Sequence, residues 1–233
     1  MDIGEIVSDS IKYPSSDWGK VLILGVIFIA SILIVPIFLA YGYIFRIIKA
    51  TLAGVDELPE FDEIGDMFVD GLKIFVVAIV YSIPIMIVYG IIYVIAMGMI
   101  SAASYTDYTT ASSAAFGLLA ILYIVMLIVA IIVSLFELMA IANMAYYDGD
   151  LGAAFRFSEI LEHISRIGWG KYIVTLIVIW ILAGIGFFIG WLTFFILIGI
   201  ILLPLVIAPY IAMFASRAVA LLVASSLEGE VAE

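Results

Sequence analysis

The chain has 233 residues, of which 67% are hydrophobic and 12% charged, with a mean hydropathy of +1.33 and a formal net charge of −11. Soluble domains carry about 45–50% apolar and about 25% charged residues, so this composition excludes one and turns most side chains toward lipid or neighbouring helices. With no cysteine and a single histidine, His163, disulfides, a thiolate nucleophile and a histidine-cluster metal site are excluded within one chain. The acidic balance also argues against nucleic acid, whose phosphates require Lys and Arg.

The first 17 residues carry Asp2, Glu5, Asp9 and Asp17, where a cleaved signal would carry basic residues. Ile3, Ile6, Val7 and Ile11 draw a short apolar stripe, which predicts an amphipathic helix over 3–12. Asp17 is a suitable N-cap for a helix starting at Trp18, and Trp18 and Lys20 suit a membrane boundary. Residues 21–45 carry no charge, long enough for one tilted span over about 19–50, with a kink expected at Pro36.

Residues 58–73 are the most charged stretch. Pro59 suits a first helical position, and Glu60, Asp62 and Glu63 favour a helix N-terminus. Phe61, Ile64, Phe68, Leu72 and Phe75 recur at helical spacing, which predicts an amphipathic helix over 59–72 with its aromatics packed under the bundle. Phe61, Asp62, Asp66, Phe68 and Asp70 are the candidate interaction face.

A second span is expected over 73–100, kinked at Pro84, then a small polar loop over 101–115 without Lys or Arg, then a third span over 114–145. Glu137 is the only ionisable residue inside that third run. A charge at such depth usually faces a bundle interior or a water-filled cavity, so Glu137, with Asn143 further along the helix, is the candidate intramembrane polar site. Its expected partner is Arg46, Lys73 or Arg217; the alternative is a carboxylate that simply snorkels to the interface. Ala154, Phe157, Leu161, Ile164 and Gly168 predict a third amphipathic helix over 152–167. The uncharged run 172–216 would be roughly 65 Å as one helix, about twice the hydrocarbon core. It must turn back within 190–199, giving spans over 171–191 and 198–224. Gly186 and Gly190 stand at a spacing that permits close helix approach, or a dimer contact.

The fold class expected is therefore all-α: a polytopic transmembrane bundle forming a single domain over 1–233, with about five spans and cytoplasmic amphipathic helices. Four spans plus a re-entrant hairpin, or six, are the alternatives. Lys and Arg flank the loops at 51–72 and 146–170, which places those loops and the C-terminus inside and the 101–115 loop outside in the cell membrane. One span over 19–50 would leave Lys12 and Lys20 outside. A broken passage near residues 31–36 would keep them inside.

Tyr13-Pro14-x-x-Asp17-Trp18-x-Lys20, Gly42-Tyr43-x-x-Arg46, Glu57-Leu58-Pro59-Glu60-Phe61-Asp62 and Phe68-Val69-Asp70-Gly71-Leu72-Lys73 together resemble an uncharacterised prokaryotic, largely archaeal, membrane-protein family, domain of unknown function 4013. Gly152-Ala153-Ala154-Phe155-Arg156-Phe157-x-Glu159-Ile160 is similar to its second signature. The resemblance implies an integral membrane bundle and supplies no activity. No phosphate-binding glycine loop, Ser/His/Asp set or HExxH motif occurs, and no cofactor is expected. The function expected is a non-enzymatic assembly or interaction module with lipid and a protein partner or a second copy around it. The alternative is a small transporter or channel subunit with Glu137 in the path.

Overall fold

The computed structural model describes residues 1–103, 108–196 and 198–227, which are mostly helical with no strand among them. The helices are α1 (Ile3–Lys12), α2 (Trp18–Ala30), α3 (Val35–Leu52), α4 (Ile64–Ala103), α5 (Tyr108–Tyr146), α6 (Phe157–Ile167), α7 (Trp169–Leu192), α8 (Gly199–Leu202) and α9 (Ala208–Leu227). Among the described residues, five stretches are long and apolar enough to cross a membrane: Val35–Leu52, Ile64–Met99, Phe116–Tyr146, Trp169–Phe195 and Gly199–Leu227. The chain is an all-α, multi-pass membrane protein.

The chain divides into two compact units. The first comprises residues 1–77 and 138–233, and the second residues 78–137. The second holds the C-terminal part of α4 and the N-terminal part of α5. Its side chains are mostly exposed and apolar, as lipid-facing surface should be, Val94 and Phe116 among them. Ser82 and Ser134 turn their hydroxyls back onto carbonyls of their own helix, which hides a polar group from hydrocarbon. The helix runs through Pro84 without a break.

In the first unit α9 is the hub, packing against α1, α2, α3, α6 and α7. Small residues on α9, Ser216, Ala218 and Ala220, are buried. They let neighbouring backbones come close, which is how helices associate where the surrounding solvent is as apolar as the side chains. Asp2 caps α1 with a reciprocal Glu5 contact, and Asp17 caps α2 by accepting from the Lys20 N–H. The chain bends by 83° between residues 3–16 and 18–33.

The span expected over 19–50 is instead two arms. α2 ends at Ala30 and α3 starts at Val35, with a tight turn between them in which Ile34 takes φ 69°. Pro36 sits in the first turn of α3, where its missing N–H is harmless. Lys20, near the start of α2, donates to the Glu60 carboxylate, and Arg46, near the end of α3, donates to the Glu60 carbonyl. The two arms are thus antiparallel, with both bases on one side.

The amphipathic helix expected over 59–72 is also different. Residues 53–63 are an ordered loop, and α4 begins at Ile64. Its inward face is Met67, Gly71, Ile74 and Val77, while Ile64, Leu72 and Phe75 are exposed. The same rotation occurs in α6, where Ile160, Ile164 and Ile167 are buried and Phe157 and Leu161 exposed. Most of the polar loop expected over 101–115 is helical, through Ala103 and again from Tyr108, and 104–107 lie outside the described residues. The turn expected within 190–199 occurs there, between Leu192 and Gly199.

Candidate functional site

The loop of residues 53–63 is held by the side chains around it. The carbonyls of Val55, Glu57, Leu58, Pro59, Glu60, Asp62 and Glu63 each accept from a side chain: Arg217, Tyr13, Lys20, Tyr43 and, for the last three, Arg46. A loop with no helical or sheet partners must satisfy its backbone some other way. Here cations and phenols from α2, α3, α9 and the turn after α1 do so. Phe61 completes the clamp, stacking flat on Tyr43 with ring centroids 3.9 Å apart and planes 4° from parallel.

Arg217 is the centre of this arrangement. It is 2% exposed on the hub helix. Nε donates to Asp9 Oδ1 at 2.8 Å, Nη2 to Asp56 Oδ1 at 2.6 Å, and Nη1 to Thr51 Oγ1 at 3.2 Å and to the Val55 carbonyl. Its guanidinium also lies over the Tyr13 ring, 4.6 Å from the centroid. A planar fork with five donors can satisfy four acceptors and a π-face at once, which a lysine cannot. Burial pushes the Tyr13 phenol up to about 12, against a smaller downward pull from Arg217. Beside this node an open groove of about 900 Å³ runs along α1, lined by Asp2, Glu5, Asp9, Lys12 and Asp56 among others.

A second charged recess, of about 270 Å³, lies on the other side of the loop and includes Arg46, Lys49, Glu63, Asp66, Lys73 and Asp148. Lys49 pairs with Asp148, and Lys73 with Asp70 at 3.1 Å. The hydrogen bond from Lys49 holds the Asp148 carboxyl below the usual carboxylate range. These contacts fix the turn after α5, where Asp148 and Gly149 both take positive φ.

The candidate residues fall into three groups. Phe61, Asp62 and Asp70 belong to the clamp and its neighbouring recess through Tyr43, Arg46 and Lys73. Phe68 lies edge-on to Phe38 with centroids 5.5 Å apart, and Asp66 is exposed. Asn143 is buried and donates to the Ala153 carbonyl and the Glu159 carboxylate, so it ties α5 to the start of α6. Glu137 is half-buried on α5, and its three expected partners are engaged elsewhere: Arg46 with Asp62, Lys73 with Asp70, and Arg217 with Asp9 and Asp56. Tyr13, Lys20, Tyr43, Arg46 and Arg217 hold the site, and sequence patterning points to none of them in that role. Four of the five stand inside the family-like motifs; the signal that separates a clamp from a membrane anchor is which backbone each reaches, which spacing alone does not carry.

Glycines set the close approaches. A Cβ on Gly42 would overlap the Met67 carbonyl, and one on Gly71 would overlap the Phe38 carbonyl. Each glycine stands four residues after the carbonyl that meets the other, so α3 and α4 cross at a reciprocal pair of contacts. Gly186 and Gly190 face Ile211, Leu203 and Ile207 of the same chain, so their spacing serves internal packing of α7.

A family model described as Protein of unknown function (DUF4013) matches residues 23–195. No curated protein and no solved structure matches the chain.

Proposed function

We propose that this chain, which belongs to the DUF4013 family of proteins of unknown function, is a non-enzymatic membrane assembly module whose docking face is the charged face around residues 53–63. The observation that carries this reading is the clamped loop. Seven of its carbonyls are held from within the chain, so the carboxylates of Asp56, Glu57, Glu60, Asp62 and Glu63 stand exposed on a rigid frame. A pre-ordered surface loses little entropy on binding, which is what an interaction module needs. Its partner would be a protein with a basic face, or a second copy that matches these acids with its own cations.

The face is assigned to the cytoplasm. All nine Lys and Arg lie in the first unit: Lys12 and Lys20 near the N-terminus, and the other seven on the loops and helix ends around residues 51–72 and 146–170 and toward the C-terminus. Short segments rich in Lys and Arg stay inside, which leaves the connection within 101–115 outside the cell membrane. A transport role for Glu137 rests on half-burial alone and is the weaker reading.

The test is affinity capture of the tagged chain from native membranes. A stoichiometric protein partner released by salt, and lost on Asp62→Lys with Glu63→Lys, is the expected result. No partner, together with solute flux in proteoliposomes of the purified chain, would replace the docking reading with a permeation one.

A further inference from the structure

We infer that α2 and α3 form a re-entrant hairpin, which enters the acyl-chain layer from the charged side and returns without reaching the opposite head groups. This stands apart from the docking reading and shares none of its premises about a partner.

The arms share a base, because Lys20 and Arg46 both bond Glu60. They are also short. α2 has 13 residues, about 20 Å, against about 30 Å of hydrocarbon. The full 18 residues of α3 are long and apolar enough to cross, but Arg46 and Lys49 take up its last turns, leaving an uncharged arm of about 17 Å over residues 35–45. A segment that reaches the far interface ends in Trp, Tyr, Lys or Arg. This one ends in Ile32, Leu33 and Ile34, which are 87%, 72% and 70% exposed. Such a tip matches acyl chains and offers nothing to a head group.

Backbone polar groups at bilayer depth must find partners within the protein, and several at the tip do. The Ser31 N–H reaches back to Phe28 and Ile29, the Ile34 N–H donates to Ser31, and the Ile37 N–H donates to Ile34. The Ser31 hydroxyl donates to the Ile27 carbonyl. Pro36 has no N–H to satisfy. Gly25 seats the first arm on the backbone of Leu205, which a Cβ there would overlap.

The chain has no native cysteine, so single-cysteine mapping reads this directly. Ser8→Cys, Glu57→Cys, Ser101→Cys and Ile32→Cys are each treated with a membrane-impermeant maleimide in right-side-out and in inverted vesicles. Ser8→Cys and Glu57→Cys should label from one side to the same extent, and Ser101→Cys from the other. Ile32→Cys should label from neither side until detergent is added. Labelling of Ser8→Cys from the Ser101 side would make the segment a single crossing and overturn the inference. Labelling of Ile32→Cys from the Ser101 side would do the same, by showing that the tip spans. Leu33→Cys replaces Ile32→Cys if the latter does not fold, and the Ser8 and Glu57 pair decides the shared side without either.

Discussion

Arg217 Nε donates to Asp9 Oδ1 at 2.8 Å, joining the last helix to the first across 208 positions of sequence. The same guanidinium reaches Asp56, Thr51 and Val55, so one side chain fastens α1, the end of α3 and the clamped loop to the hub. Breaking a buried pair costs most when a buried charge is left behind. In this case the buried member is the one removed, since Asp9 and Asp56 both reach water. Arg217→Met should therefore destabilise by about 1.5–3 kcal/mol, the range for hydrogen bonds to charged groups. Arg217→Lys should recover little, because an ammonium cannot reproduce the fork. Asp56→Asn, at an 86% exposed side chain, should change stability far less. Thermal unfolding of the detergent-solubilised variants checks the order.

The α3–α4 crossing predicts a contrast among glycines. Gly42→Ala and Gly71→Ala each drive a methyl into a backbone carbonyl that cannot rotate away, so each should cost about 1–3 kcal/mol or prevent folding. Gly184→Ala meets nothing within 4 Å. It should be neutral or slightly stabilising, since glycine in a helix interior costs about 0.5–1 kcal/mol relative to alanine. Equal behaviour of the three variants in a thermal melt would contradict the crossing.

Those glycines also show what the sequence withholds. The helices, the apolar spans and the turn near Gly190 are legible from hydropathy and length. Which side of each helix faces protein is not. Around the start of α4 the stripe Phe61, Ile64, Phe68, Leu72 and Phe75 is the more hydrophobic reading, yet Phe61 lies in the loop and Met67, Gly71 and Ile74 turn inward. In water the largest apolar residues win the core. In lipid they have no such preference, and close packing selects small residues instead. The hairpin is ambiguous for a related reason: residues 21–45 are long enough for one span, and only the shared contact of Lys20 and Arg46 with Glu60 makes them two arms. The clamp is hidden because its acceptors are backbone carbonyls, which every sequence has. Arg217 in particular reads from sequence only as a partner for Glu137.

Tyr13 gives the first unit an alkaline limit. Its phenol is pushed up to about 12 from an ordinary value of 10.0, chiefly by burial. Between those values the folded chain keeps a proton that the unfolded chain gives up. The contribution is therefore whole below pH 10, declines as pH rises, and is lost as pH passes about 12. Tyr13→Phe should be less stable than the parent at neutral pH by about 1 kcal/mol, for the lost bond to the Glu57 carbonyl. Above pH 10 the gap should narrow, because phenylalanine has no proton to lose. A gap that widens with pH would contradict the assigned burial.

The stack of Tyr43 on Phe61 predicts a coupling energy. Parallel rings 3.9 Å apart should be worth about 0.5–1.5 kcal/mol beyond their burial. A double-mutant cycle with Tyr43→Leu and Phe61→Leu should return a value in that range. Tyr43→Phe should keep the coupling and lose only the bond to the Pro59 carbonyl. Additive single effects would place Phe61 outside the clamp.

Glu137→Gln separates docking from permeation. The substitution keeps the shape of a half-buried side chain and removes its ability to carry charge. If Glu137 is packing and hydrogen bonding alone, the neutral amide does the same work at less desolvation cost. Unfolding temperature should then hold or rise, and salt-sensitive partner capture should be unchanged, because Glu137 makes none of the side-chain bonds that hold the carbonyls of the clamped loop. A conducting role requires the opposite pattern: cation or proton flux in parent proteoliposomes, lost in Glu137→Gln at unchanged stability. That pattern would move the functional site from residues 53–63 to α5.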